Sequence, residues 1–124
     1  MKTYSFSSGT GSHKVEGQLT LCGNDICLNI GGGTLHHIGA VAVAEPRESL
    51  KGNGELSASC STLCMLGHKD DMLARECALS LAAYTGCRTV VTVGLHVDKA
   101  EQQDIQKLTE KFWQLVDECK QLLK

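Results

Sequence analysis

Between Lys14 and Ile30 the chain alternates apolar and polar residues around a two-residue turn, and that pattern admits one register. Val15, Gly17, Leu19 and Leu21 precede Gly23-Asn24, and Ile26, Leu28 and Ile30 follow it. A two-residue loop sets Leu21 opposite Ile26, Leu19 opposite Leu28 and Gly17 opposite Ile30. Every apolar side chain then falls on one face of an antiparallel hairpin. A slip by one residue would turn all of them to water.

The rest of the chain is read outward from this hairpin. Gly31-Gly32-Gly33 breaks the alternation before a third strand, Leu35 to Ala44, which is apolar on both faces and therefore central. Pro46 ends it, because proline cannot donate to a ladder. A polar loop from Glu45 to Glu55 leads to a strand over Leu56 to Leu66. Residues Asp70 to Thr85 carry a helical stripe of Leu73, Cys77, Leu81 and Tyr84, flanked by Ala74, Ala78 and Ala82, with Gly86 placed to cap it. Arg88 to Val97 is the last strand, at an edge or inserted. Asp98-Lys99-Ala100-Glu101 reads as a capping box that opens a helix striped by Ile105, Leu108, Phe112, Leu115, Cys119 and Leu122.

These elements predict a single α+β domain over residues 1–124, in the order βββββαβα. An antiparallel sheet of about six strands would carry both helices on one face. The other face, with Thr20, Cys22, Cys27, Val90 and Thr92, suits a subunit contact better than open water. That face and the heptad-like stripe of the last helix predict a homodimer.

Composition excludes several classes of function. With 42% hydrophobic residues in 124, the chain has enough apolar mass for one modest core. A formal charge of -2, with lysines and arginines scattered among acids, lacks the basic footprint of a nucleic-acid binder. The longest apolar run, Ile38 to Ala44, is far short of the about 20 residues that cross a bilayer. The start, Met1 to Phe6, does not resemble a signal peptide, so a cytoplasmic location is expected. The seven cysteines are odd in number and expected to stay reduced, mostly as small core residues. Cys60 and Cys64 invite a zinc reading. On a strand, however, their sulfurs would stand roughly 13 Å apart, too far for one ion.

Three polar strings build no core. In Gly94-Leu95-His96-Val97-Asp98, His96 and Asp98 share one face of the last strand, although Asp98 also serves as a helix cap. In Gly67-His68-Lys69-Asp70-Asp71, the acids favour a helix N-terminus, whereas His68 and Lys69 oppose the same dipole. A lysine beside exposed N–H groups suits a phosphate. Gly31-Gly32-Gly33-Thr34-Leu35-His36-His37 reads as a flexible loop that matches neither nucleotide fingerprint. By residue type, His37, His68, His96 and Asp98 also admit a metal site, though no spacing supports one. No nucleophile elbow or papain-like string is present.

Taken in order, His37-Ile38-Gly39-Ala40-Val41-Ala42, Pro46-Arg47-x-Ser49-Leu50, Ser57-Ala58-x-x-Ser61, Leu66-Gly67-His68-Lys69-Asp70-Asp71 and Gly94-x-His96-x-Asp98 resemble a known family. It is the small D subunit of gallate-type hydroxyarylic acid decarboxylases, the prenylated flavin chaperone (LpdD-like) family. The resemblance runs from about Gly31 to Ile105. It implies a fold like that of the small proteasome-assembly chaperones. It also implies a non-catalytic accessory protein that binds flavin mononucleotide (FMN) or prenylated FMN for a UbiD-like catalytic subunit. Carried over by position, His37, Arg47, Ser61, His68, Lys69, Asp70, His96 and Asp98 become candidate cofactor contacts, with no residue assigned to catalysis or to a metal. The Gly67 string starts a helix just after one strand and His96 with Asp98 end another, so pairing of those strands is expected to put the flavin in one pocket lined by His68, Lys69, His96 and Asp98, with Arg47 near the phosphate. Two alternatives stand beside it: a small His/Asp metal-dependent enzyme, and a ligand-free assembly chaperone or interaction module.

Overall fold

A computed structural model describes residues 1–65 and 70–124. Strands β1 (Lys2–Ser8), β2 (Val15–Cys22), β3 (Asp25–Gly33), β4 (Ala40–Glu48) and β5 (Leu56–Cys64) precede helix α1 (Asp71–Thr85). Strand β6 (Thr89–His96) and helix α2 (Gln102–Leu122) complete the chain. The order βββββαβα and the α+β class are those the sequence predicts. The six strands lie in the order β1-β2-β3-β6-β4-β5. β6 is therefore inserted in the middle, parallel to β3 and antiparallel to β4, in a sheet that is otherwise antiparallel.

The hairpin has the register its turn dictates: Leu21 faces Ile26, Leu19 faces Leu28 and Gly17 faces Ile30. Gly23 takes the positive φ, +61°, that a tight hairpin turn requires. One face of the sheet is sealed by Leu19, Leu28, Ile30, Ala42, Val91 and Val93. Both helices pack on that face in one continuous core. Residue size grades the packing. Alanines line α1 (Ala74, Ala78, Ala82) and the strand beneath it (Ala40, Ala42, Ala44), whereas the bulky Phe112 and Leu115 fill the space under α2. Small residues on both partners let the α1 backbone approach the sheet closely.

Four local expectations change. Gly31 to Gly33 do not break the strand; they continue β3 and pair with both β2 and β6. Glycine is used there because neighbouring groups occupy the space a Cβ would fill: the His36 ring at Gly31 and the His96 carbonyl at Gly33. The third strand starts at Ala40 rather than Leu35, and it runs through Pro46 to Glu48. Its pairing with β6 stops at Ala44, so Pro46 lies where only β5 remains as a neighbour and a missing donor is tolerated. The cap of α2 sits three residues later than expected. Glu101 and Asp104 form the capping box, and Asp98 stays outside the helix. Finally, α2 spends its stripe inside the core: Leu108, Phe112, Leu115 and Cys119 are buried, with only Ile105 and Leu122 exposed at its ends. The helix therefore offers no continuous apolar face to a second subunit.

None of the seven cysteines is in a disulfide, and only Cys77 and Cys119 are fully buried; Cys22 and Cys64 are exposed. Burial pushes the Cys119 thiol up to about 11 and that of Cys77 upward as well. Since the thiolate is the reacting species, brief alkylation of native protein should modify Cys22 and Cys64 first. Cys77 and Cys119 should be modified only after unfolding, and peptide mass spectrometry checks this. Early labelling of Cys77 would contradict its place in the core. No helix among the described residues is long and apolar enough to cross a membrane.

Candidate functional site

The parallel pair β3 and β6 ends at Gly33 and His96, and at the same end of the sheet β4 begins and α1 takes its first turn. His37, Asp70 and His96 meet there because the topology places three strand ends and a helix start together. Segment 34–39 crosses this end, fixed by Thr34 N–H donating to the His96 carbonyl (2.7 Å) and Gly39 N–H donating to the Val93 carbonyl (2.9 Å). The crossing is close. A Cβ at Gly94 would overlap the His37 backbone carbonyl, and one at Gly39 would overlap the Asp70 carboxylate.

Two imidazole–carboxylate pairs result. His37 Nε2 lies 3.5 Å from Asp70 Oδ2, with both side chains largely buried. His96 Nε2 lies 2.9 Å from Asp98 Oδ1 at the surface. The two histidine rings stand edge-to-face with centroids 6.1 Å apart. Asp70 occupies the N-cap position of α1 but makes no capping bond with its side chain. Its carboxylate instead accepts from the Leu95 N–H at 3.4 Å and faces His37. Asp98, freed from the capping role the sequence suggests, orients His96. Carboxylate partners hold both rings in place, and the other ring nitrogen of His37, Nδ1, lies 3.4 Å from the Leu35 carbonyl.

Two further candidates, Ser61 and Arg47, lie elsewhere. Ser61 sits on β5 opposite Val43, on the sheet face without helices. Arg47 shares that face but hydrogen-bonds Ser59 (Nε to Oγ, 2.9 Å) and the Glu48 carbonyl. It stands seven residues along β4 from Ala40, roughly 23 Å from the paired histidines. Arg47 and His96 therefore do not line one pocket within a chain. His68 and Lys69 lie outside the described residues. Among the described residues no three of His, Cys, Asp and Glu gather closely enough to hold a metal ion.

The face without helices carries a cavity of about 640 Å3 that is open to solvent. Ser5, Gln18, Asn29, His36 and His37 help to line it. Its floor includes a row across three strands, Ser5–Gln18–Asn29, each residue the register partner of the next, and Thr92 continues that row on β6 beyond the lining. The Thr92 hydroxyl donates to Asn29 Oδ1 at 2.6 Å. At one side Glu16 lies between Lys14 Nζ (3.3 Å) and His36 Nε2 (3.5 Å). Of the candidates among the described residues, only His37 borders this cavity. The signal for the others was present in the hairpin register, which sets Gln18 opposite Asn29 once the turn is placed.

Comparison with known proteins agrees with this architecture. Residues 9–124 match the prenylated flavin chaperone LpdD-like domain. No curated protein matches the chain in sequence. Among solved structures it is similar to a chain in the crystal structure of a chaperone complex for yeast 20S proteasome assembly. That likeness has a TM-score of 0.58 at 19% identity and covers 99% of this chain and 96% of the other. It supports the fold alone.

Proposed function

The chain belongs to the prenylated flavin chaperone LpdD-like family, and from that membership we propose that it is a non-catalytic accessory protein that binds FMN or prenylated FMN and supports maturation of a UbiD-like decarboxylase in the cytoplasm. The observation that carries this reading is the family match over residues 9–124, together with a cavity of suitable size. About 640 Å3 falls within the range of roughly 300–1,000 Å3 usual for small-molecule sites. Its walls combine amide and hydroxyl groups with imidazoles, which fits the polar edge of a flavin. When bound in the decarboxylase, the prenylated flavin supplies the chemistry of decarboxylation. This chain's own residues bind and orient the ring and then release it, and an open cleft suits a cofactor that must leave again. The two imidazole–carboxylate pairs border the same end of the sheet, with His96–Asp98 at the surface and His37–Asp70 largely buried. The test is to supply prenylated FMN to an apo UbiD-like decarboxylase with and without this chain. The reading requires a larger active fraction when the chain is present, and an unchanged fraction contradicts it.

The same face divides in two. Across β4, β5 and β6 it carries Val41, Val43, Val90 and Leu63, with Val43 45% and Leu63 69% exposed. We propose that a second copy of the chain covers this apolar half, leaving the polar half over β1–β3 for the ligand. Light scattering should give twice the 13.3 kDa of one chain. Val43→Asp should return the protein to the single-chain mass, because an unpaired charge is costly to bury in a contact. A wild-type protein of single-chain mass at micromolar concentration would contradict the dimer.

A further inference from the structure

We propose that the cavity over β1–β3 recognises the pyrimidinedione edge of a flavin ring through the side-chain amides of Gln18 and Asn29, and that it reads the ring rather than the phosphate. This inference rests on the flavin reading above and assigns its contacts.

The chemistry is complementary. The pyrimidinedione edge presents a carbonyl, an N–H and a second carbonyl in sequence, so its recognition needs a donor, an acceptor and a donor. Gln18 and Asn29 are direct register partners on neighbouring strands and both point into the cavity. Directly opposed strand positions lie about 4.5–5.5 Å apart. Two side chains at that spacing can serve one ring edge together. Asn29 is already oriented, because its Oδ1 accepts from Thr92 and its amide N–H groups remain to donate to a ring carbonyl. Gln18 then supplies the acceptor for the ring N–H and the donor for the second carbonyl. The Ser5 hydroxyl stands next in the row. The His36 imidazole, held against the backbone of Gly31, provides a flat wall beside the ring.

Charge decides against the phosphate. Among the described residues, the basic side chains that line the cavity beside Glu16, those of Lys14 and His36, both approach its carboxylate, at 3.3 and 3.5 Å. A dianion brought there would meet that carboxylate as well as the basic groups, so the two effects offset. Riboflavin, which has the ring and no phosphate, should therefore bind about as well as FMN.

The experiment measures binding of FMN, riboflavin and uridine to the purified full chain by calorimetry, for wild type and for Gln18→Leu, Asn29→Leu and Thr20→Val. Thr20 lies one row away on the same face and serves as the control. Thermal melts establish that each variant is folded, which these surface positions favour. The inference requires similar affinity for FMN and riboflavin in wild type. It also requires a loss of about tenfold or more for both ligands in each leucine variant, the scale of one buried hydrogen bond left unmade, with Thr20→Val unchanged. Leucine variants that bind as wild type does, or FMN binding much tighter than riboflavin, would overturn the assigned contacts and leave the flavin reading standing. Uridine binding as tightly as riboflavin would overturn the assignment to a flavin ring, since uridine carries the same imide edge alone. A wild type that binds neither flavin would remove the functional reading itself, and this inference with it.

Discussion

Phe112→Ala should destabilise the domain by about 3–5 kcal/mol, the usual cost of emptying a buried aromatic site. Phe112 is fully buried on α2 and meets the Trp113 ring edge-to-face, with centroids 5.0 Å apart. It shares the core with Val15, Leu19 and Leu115, which are likewise sealed from solvent. The backbone around it is tied into β2 on one side and α2 on the other, so the void can close only in part. Leu122, on the same helical stripe but 46% exposed, should cost far less as alanine, within the roughly 0.5 kcal/mol typical of surface changes. Urea denaturation followed by the fluorescence of Trp113, the single tryptophan, measures both. Equal losses for the two variants would mean that α2 does not pack as described. The effect also reaches the ligand face, because α2 backs the strands that carry Ser5 and Gln18 on their other side.

Gly94→Ala should cost nearly as much for a different reason. The added methyl would fall on the His37 backbone carbonyl, which cannot rotate aside as a flexible side chain would. Segment 34–39 must lift instead. That strains the hydrogen bonds from Thr34 to His96 and from Gly39 to Val93 and separates the two histidine rings. Overpacking plus one or two weakened hydrogen bonds amounts to about 3 kcal/mol. At about 4 °C per kcal/mol for a domain of this size, the unfolding midpoint should fall by about 12 °C. Calorimetry reads the shift directly, and an unchanged midpoint would contradict the close crossing at this end of the sheet.

These two positions also show what the sequence makes legible. Phe112 belongs to a stripe spaced by three and four, and helical periodicity alone puts it in the core. The hairpin register is equally legible, because a two-residue turn leaves no alternative. Gly94 is not legible in the same way. Its constraint comes from a segment nearly sixty residues earlier in the chain, and no local pattern records that approach. Gly31 to Gly33 mislead for the same reason. Glycine usually interrupts a strand, but here the strand continues and the missing side chains admit His36 and the His96 carbonyl. The capping box is a case of two overlapping patterns. Asp98-x-x-Glu101 and Glu101-x-x-Asp104 both satisfy the spacing. The second forms because Lys99 adopts a left-handed conformation, φ 51°, which keeps Asp98 out of the helix and against His96. Insertion of β6 between β3 and β4 is likewise invisible to periodicity, although it gathers His37, Asp70 and His96 at one end. Arg47 shows the converse. Motif order along the chain groups it with those residues, while strand length sets it at the far end of the sheet.

The most direct measurement is titration of the purified chain with FMN, followed by the absorbance and fluorescence of the flavin. A protein that holds flavin for transfer to a decarboxylase should saturate stoichiometrically in the micromolar range, with a changed flavin spectrum that reverses when apo-decarboxylase is added. Spectra that stay those of free FMN at every protein concentration, with prenylated FMN behaving in the same way, would contradict the account.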